Sequence, residues 1–408
     1  MASLLTVVLC IGLAFVQINA QAVLIEPKAE VIEDRFFVVF QRNISVTERM
    51  KHMLTMDDLS KSLGAEVRFE VRREFTIGNS FRAYTAHMCQ KMVQQVLLMP
   101  EVRYVTPDQI ATIAQEQCVT QEEATWGLVR TSSRVLNIDG YYEYRDEDAG
   151  EGVEAYVIDT GIYTGHNEFQ AGRASQEFDP VYNDPNRPDG NGHGTHVAST
   201  IVGQLYGLAK KATVIGVRVL NDNGSGSYED VIGGVEWTAE VRREKSRTTV
   251  GNMSLGGPQN VALDEAIVAA AEAGVVMVVA AGNEATDACI RSPAASDGAI
   301  TVGATDNTDT KASFSNQGKC VEIYCPGQGI TGAWIGSPVA INTISGTSMA
   351  SPHVAGIAVK YLTQNPTATP VQVEEWITEQ QSTKDIVNGL NSDSFNRLCF
   401  MDCNPTSK

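Results

Sequence analysis

Residues Val275–Asn283 read VVMVVAAGN. The run is apolar without alternation, so as a strand it must be buried on both faces. The helical pattern ALDEAIVAAAEAG (Ala262–Gly274) precedes it and closes on a glycine. A second apolar strand, AITVGAT (Ala299–Thr305), follows. Moving outward, VEAYVID (Val153–Asp159), ATVIGVRVL (Ala212–Leu220) and GNMSLGG (Gly251–Gly257) read as further strands. YEDVIGGVEWTAEVRRE (Tyr228–Glu244) reads as an amphipathic helix between two of them. Apolar strands alternating with helices predict an α/β domain with a parallel central sheet and helices on both faces. In such sheets ligands bind beyond the carboxyl ends of the strands. Asp159, Ser254 and Asn283 fall at those ends.

Upstream the character changes. RFFVVFQ (Arg35–Gln41) is β-rich, and Ser45–Ala65 is helical and opens on the capping-box pattern Ser-x-x-Glu. EVRFEVRREF (Glu66–Phe75) alternates, Met88–Pro100 is helical again, and Val102–Asp108 is a short strand. The order β-α-β-α-β predicts a small α+β domain over 21–118, ahead of the α/β domain over 119–408. Thr112–Thr125 is polar and reads as a linker. Residues 1–20 carry an apolar run, Leu4–Val16, too short to span a bilayer, followed by the small-x-small signature near Ala20. They predict a signal peptide and a secreted, extracellular product with no membrane anchor after cleavage.

The net charge is −18, which argues against a nucleic-acid partner and otherwise serves solubility. Eight cysteines are present, and loss of Cys10 with the signal leaves seven. The odd thiol is free, pairs between chains, or leaves with a removed segment. No CxxC pair occurs, which disfavours a zinc site.

Three local patterns can carry chemistry. AYVIDTGI ends a buried strand on Asp159; alone, an aspartate before a turn serves the backbone. DGNGHGTHVAST (Asp189–Thr200) places His193 and His196 three apart among glycines, not at the spacing of a zinc protease helix. TISGTSMASPHVAG (Thr343–Gly356) has Ser345, Ser348 and Ser351 at a helix start. A serine there is an ordinary cap, but it also has unpaired N–H groups beside it that suit a developing oxyanion. Acyl transfer by serine needs an imidazole to take the proton, a buried carboxylate to orient that ring and donors for the oxyanion. The chain supplies Asp, His, Asn and Ser candidates.

The segments VIDTGI, GNGHGTHVAS, SLGG, AAGN and SGTSMASPHVAG, in this order, resemble the signature segments of the subtilisin-like serine proteases. TWGLVRTSS, VLNDNGSGSYEDVIGGVEW and ASFSNQGKCVEIYCPGQGI resemble the proteinase K branch. The likeness runs from Trp126 to Leu362. It implies a secreted serine endopeptidase with Asp159, His193 and Ser348 as catalytic triad and Asn283 as oxyanion donor. It implies substrate-binding edges at Gly224, Ser225 and Gly226 and at Ser254, Leu255 and Gly256. Neither edge carries a carboxylate, which suits an apolar or aromatic P1 side chain. His196 is then structural, and Ser345 and Ser351 support the turn and helix.

The first domain resembles the inhibitor-type propeptide of the same family, implying a self-processing zymogen whose own propeptide is an intramolecular inhibitor. The matched mature start places the cut near Cys118–Gln121. The resemblance implies a Cys289–Cys320 disulfide. It leaves Cys399 and Cys403 to bridge locally or elsewhere, and Cys118 as a candidate partner for Cys325. It implies no cofactor for catalysis, but a structural calcium held by Glu322 and by the backbone oxygens of Asp297 and Ala299. Carboxylate and carbonyl oxygens suit that ion, although the family has Asp where this chain has Glu322. Sequons occur at Asn43, Asn223 and Asn252, the last expected to be buried. Partners are expected to be protein or peptide substrates, and the enzyme a monomer. The rival readings are a catalytically silent binding protein that retains its prodomain, and a dibasic processing convertase. The segment after Leu362 is shorter than the extra domain a convertase carries.

Overall fold

The computed structural model describes residues 22–25, 31–64, 69–110, 118–245 and 249–403. The signal segment and residues 111–117 of the expected linker lie outside them. The chain divides into two compact units, Met1–Gln115 and Glu116–Lys408.

The first unit contains β1 (Val23–Leu24), β2 (Val31–Phe40), α1 (Val46–Ser62), β3 (Glu70–Ile77), β4 (Phe81–His87), α2 (Gln90–Val96) and β5 (Val102–Gln109). Its sheet runs in the order β1-β5-β2-β4-β3. The order of elements is β-α-β-β-α-β once the short β1 is set aside. FRAYTAH (Phe81–His87) is a strand that periodicity alone did not reveal, paired antiparallel with both β2 and β3. Phe36, Val38 and Phe40 alternate inward from β2 and pack on Met56 of α1 and Met92, Val93 and Val96 of α2. The capping box at α1 forms as read: the Glu48 N–H donates to Ser45 Oγ at 3.2 Å, and the Ser45 N–H to Glu48 Oε2 at 2.7 Å.

In the second unit, β6 (Cys118–Gln121), α3 (Trp126–Thr131) and β7 (Tyr142–Arg145) lead into β8 (Glu154–Asp159). There follow β9 (Ala174–Phe178), α4 (His193–Val202), β10 (Thr213–Arg218), α5 (Tyr228–Lys245) and β11 (Thr249–Met253). Next come β12 (Gly257–Pro258), α6 (Val261–Glu272), β13 (Val275–Ala280), β14 (Arg291–Ser292), β15 (Ala299–Thr305) and β16 (Ile323–Pro326). The hairpin β17 (Ile330–Ala333) and β18 (Ile341–Ile344) precedes α7 (Thr347–Gln364), α8 (Pro370–Glu375), β19 (Ser382–Lys384) and β20 (Arg397–Cys399).

The central sheet has nine strands in the order β19-β20-β16-β15-β13-β11-β8-β10-β9. All neighbours are parallel except β19 and β20. Successive residues of a strand face opposite sides. Val276 and Val278 of β13 accordingly join the core under α4 and α7, with Ile201 and Val354. Val275, Met277 and Val279 join the core under α5 and α6, with Val235 and Ile267. That is why the stretch shows no apolar–polar alternation.

Two expectations change here. The stretch read as a linker contains β6, whose Cys118–Gln121 pairs antiparallel with Tyr142–Arg145. Cys118 therefore belongs with the second unit, and it bonds Cys403. It is not the partner of Cys325, which bonds Cys399 instead, so Cys399 and Cys403 do not bridge locally. Cys289 and Cys320 are bonded to each other. Among the described residues the free thiol is Cys89, in the first unit, so the odd cysteine sits on the segment read as removable.

Candidate active site

The parallel order sets the site. β8, β11 and β13 are neighbours, so Asp159, Ser254 and Asn283 emerge at the same edge of the sheet. Asp159 is the last residue of β8 and is fully buried. Both its oxygens accept from His193 Nδ1, at 2.8 and 2.9 Å, and Oδ1 also accepts the Thr160 N–H at 2.7 Å. With Nδ1 held as donor, the lone pair is left on Nε2.

His193 is the first residue of α4. Its position depends on Asp189, which sequence reasoning did not single out. Asp189 Oδ1 accepts from Thr160 Oγ1, the Asn191 N–H and the Gly192 N–H at 2.9–3.0 Å. Oδ2 accepts from the Thr195 N–H and hydroxyl at 3.1 and 2.7 Å. One buried carboxylate thus organises the turn that presents His193. Gly194 follows because a Cβ there would lie 2.2 Å from the Gly161 carbonyl oxygen.

Burial favours the neutral form of His193, but the Asp159 charge and hydrogen bond, with Asp189 beyond, outweigh it and raise its pKa above 6.5. Two other buried histidines of the second unit, His196 and His353, behave oppositely. Burial lowers His196 and His353 to about 4 each. His196 is hydrogen-bonded through Nε2 to the Ile330 carbonyl, and the Nδ1–H of His353 donates to Met349 O. Both are structural.

Ser348 lies in the first turn of α7. Its hydroxyl donates to the Ser254 carbonyl at 3.1 Å. Hydrogen bonds of this kind are often rearranged when substrate enters. Ser254 Oγ in turn donates to Ser348 O, contacts Ser351 Oγ and accepts from Asn252 Nδ2, each at 2.9 Å. Asn252 is fully buried, so its sequon is closed to a glycan. Ser345 Oγ accepts the Gly329 N–H at 2.9 Å.

Asn283 Oδ1 accepts the Thr347 N–H at 2.8 Å and its hydroxyl at 3.0 Å. A backbone N–H can only donate, so this assigns the amide orientation and turns Nδ2 the other way. Gly346 is extended, with φ 163°. A Cβ there would stand 3.6 Å from both Asn283 Nδ2 and the Ser348 nitrogen. Two donors therefore border one small space, kept open by the absence of a side chain.

The two glycine-rich edges, Gly224–Gly226 and Ser254–Gly256, line one cavity of about 440 Å³ together with His193. A smaller cavity of about 80 Å³ opens beside Ser348 and Asn283. It is lined by Leu255, Gly256 and small residues, and also by Glu284 and Arg291, which sequence reasoning missed. The signal for Glu284 was its place directly after Asn283; Arg291 is distant in sequence and had none.

Glu322 Oε2 accepts the Thr301 N–H at 2.7 Å, and burial pushes its pKa up to about 7. Asp297 and Ala299 line a neighbouring cavity together with Glu374, whose charge also raises Glu322. Among the described residues no group of three or more His, Cys, Asp or Glu side chains converges as a metal site.

Residues 150–396 match the Subtilase family profile (Peptidase_S8), and residues 35–114 match the peptidase inhibitor I9 profile. The Extracellular serine proteinase of a Thermus species is 48% identical over 301 residues, covering 74% of this chain and 71% of that protein. The Subtilisin-like serine protease Pen c 2 of Penicillium citrinum is 38% identical over 416 residues, covering 95% and 90%. A crystal structure of a cold adapted subtilisin-like serine proteinase aligns with a TM-score of 0.64 and 44% identity, covering 68% of this chain and 98% of that one. Among the described residues no helix is long and apolar enough to cross a membrane. The chain belongs to the subtilase family of serine peptidases, with an inhibitor I9 propeptide ahead of its peptidase domain.

Proposed function

We propose that the protein is a secreted, self-processing endopeptidase that works through an acyl-enzyme, with Asp159, His193 and Ser348 as triad. The observation that carries this is the buried Asp159 carboxylate accepting from His193 Nδ1 with both oxygens. It leaves Nε2 as the base, whereas His196 and His353 are each tied to a backbone carbonyl. The Ser348 hydroxyl leaves Ser254 O and gives its proton to Nε2 as Oγ attacks the scissile carbonyl. The oxyanion is met by Asn283 Nδ2 and the Ser348 N–H. His193 then passes the proton to the departing amine, and water repeats the sequence on the acyl-enzyme. Substrate lies extended between the Gly224–Gly226 and Ser254–Gly256 edges, as an added strand.

The preferred P1 side chain is uncharged, apolar or aromatic. The I9 domain acts as inhibitor until it is cut away. The cut falls ahead of Cys118, because a break inside β6 would disrupt a strand already paired with β7. Calcium, as a structural ion, would be held by Glu322 and the carbonyls of Asp297 and Ala299. A buried carboxylate with raised pKa beside the carboxylate of Glu374 is a setting that a cation relieves. The catalytic reading is tested with Ser348→Ala expressed as the full chain. The expected result is an uncut precursor that no fluorophosphonate labels, where the parent matures and is labelled once. Normal maturation of the variant removes Ser348 from the mechanism.

A further inference from the structure

The small cavity beside Ser348 contains two charges that the catalytic reading does not use. Its other walls are uncharged: Ala280, Ala281, Gly282 and Ala294 are small, and Asn283, Ser292, Thr347 and Ser348 are neutral polar residues. Glu284 Oε1 accepts from Arg291 Nη2 at 2.6 Å, and Glu284 Oε2 accepts from Asn316 Nδ2 at 2.7 Å. The Glu284 N–H donates to Asn316 Oδ1 at 3.1 Å, so the backbone is fixed as well. Arg291 lies on β14, paired with Pro258, which continues the substrate edge beyond Gly256. The Arg291 side chain is 25% exposed and that of Glu284 42%, so the pair forms part of the cavity rim.

We propose that the Glu284–Arg291 ion pair is a specificity element of the P1 site, excluding charged P1 side chains because each member neutralises the other. A P1 lysine entering here meets Arg291 beside Glu284, and a P1 glutamate meets Glu284 beside Arg291. Neither finds an uncompensated partner, while both lose water. An uncharged P1 side chain meets a paired wall at no such cost. The pocket therefore holds a latent preference of each sign, masked by the other. Glu284 is anchored by Asn316 whether or not Arg291 is present, so removing Arg291 exposes a carboxylate already in place. This inference rests on the peptidase reading and on the small cavity receiving P1.

The test uses matured enzyme from the full chain and four peptides identical except for Leu, Phe, Lys or Glu at P1. Active sites are counted by fluorophosphonate titration, so misfolded molecules do not enter kcat/KM. In the parent, Leu and Phe are preferred. Arg291→Gln raises the Lys:Leu ratio of kcat/KM about tenfold, the scale of one unpaired charge at a half-exposed rim. Glu284→Gln raises the Glu:Leu ratio by a similar factor. The exchanged pair Glu284→Arg with Arg291→Glu brings both ratios back to within about threefold of the parent, the expected scatter for restored neutralisation. Ratios that move by less than threefold in titratable single variants overturn the proposal, as does a parent that prefers charged P1. A parent that neither labels nor cleaves overturns the peptidase reading itself, and that outcome is distinct because it appears before any variant is compared.

Discussion

Replacing Asp189 by Asn removes one acceptor from the turn that presents His193, and the structure sets the cost. If the new amide nitrogen takes the place of Oδ1, it faces two backbone donors, Asn191 and Gly192, and the Thr160 hydroxyl. If it takes the place of Oδ2, it faces the Thr195 N–H and a hydroxyl. The Thr195 hydroxyl also accepts the Tyr163 N–H, and a hydroxyl can redirect its own proton. The second orientation is cheaper, leaving one buried backbone N–H unsatisfied. That costs about 1–3 kcal/mol, and for a unit of this size each kcal/mol lowers Tm by roughly 2–4 °C. The kinetic effect is separate. The Asp189 charge helps to raise the pKa of His193. On the proposed mechanism His193 acts as base and must be neutral, so kcat/KM should rise with pH through its pKa, which lies above 6.5. Without the Asp189 charge that rise moves to lower pH. The assay is a pH profile of kcat/KM with active-site titration, beside a melting curve. A profile that stays in place, or moves to higher pH, refutes the electrostatic role. An unchanged Tm refutes the hydrogen-bond accounting.

Gly346→Ala keeps an extended backbone that any residue adopts and makes only ordinary van der Waals contacts. The expected result is a native Tm with kcat reduced about 10–100-fold at similar KM, since the methyl borders both proposed oxyanion donors. The loss of one such donor costs about 10²–10³ in subtilisin, the reference case for this family. Unchanged kcat would place the oxyanion elsewhere. Glu322 has a folded pKa of about 7, above its ordinary 4.5. Its contribution to stability is therefore present below pH 4.5 and lost as pH rises through 7. Without calcium, Tm should fall between pH 5 and 8 more steeply for the parent than for Glu322→Gln, and calcium should restore the parent alone. Equal slopes, or equal gains with calcium, contradict that site. If the maturation cut falls ahead of Cys118, the propeptide leaves the mature chain without reduction. A propeptide released on a gel only after reducing the Cys118–Cys403 bond would place the cut after Cys118.

Much of this was legible in the sequence because it is local. The apolar runs at Val275–Ala280 and Glu154–Asp159 are strands because parallel sheets bury both faces, and their ends place Asp159 and Asn283 without further information. The α1 capping box was readable because its two bonds join residues three apart. What escaped is long-range. FRAYTAH is a strand because β2 and β3 flank it, not because it alternates. The polar CVTQ of β6 has no core face, and becomes a strand through pairing with Tyr142–Arg145 and a bond to Cys403. The Cys325–Cys399 pairing follows from β16 and β20 lying side by side, an order set by the sheet rather than by spacing.

Pro352 shows how the two kinds of information meet. α7 begins at Thr347, so Pro352 lies inside the helix, beyond the first turn where a proline is readily accommodated. A proline there has no N–H to donate four residues back, so the Ser348 carbonyl loses its partner within the helix. Ser254 Oγ donates to that carbonyl at 2.9 Å. The Ser254 carbonyl in turn accepts from the Ser348 hydroxyl. Ser254 thus ties down both the hydroxyl and the carbonyl of Ser348, the proposed nucleophile, and a helix defect is what makes the carbonyl available. The serine spacing in SGTSMASP acquires a reason from this. Ser351, one turn on, reaches the same Ser254 hydroxyl, while Ser345, before the helix, caps a neighbouring turn at Gly329. The segment after β11 and the start of α7 are therefore positioned as one piece. A Ser254→Ala change should disturb kcat through Ser348 as well as KM through the edge, whereas a purely substrate-binding residue would move KM alone.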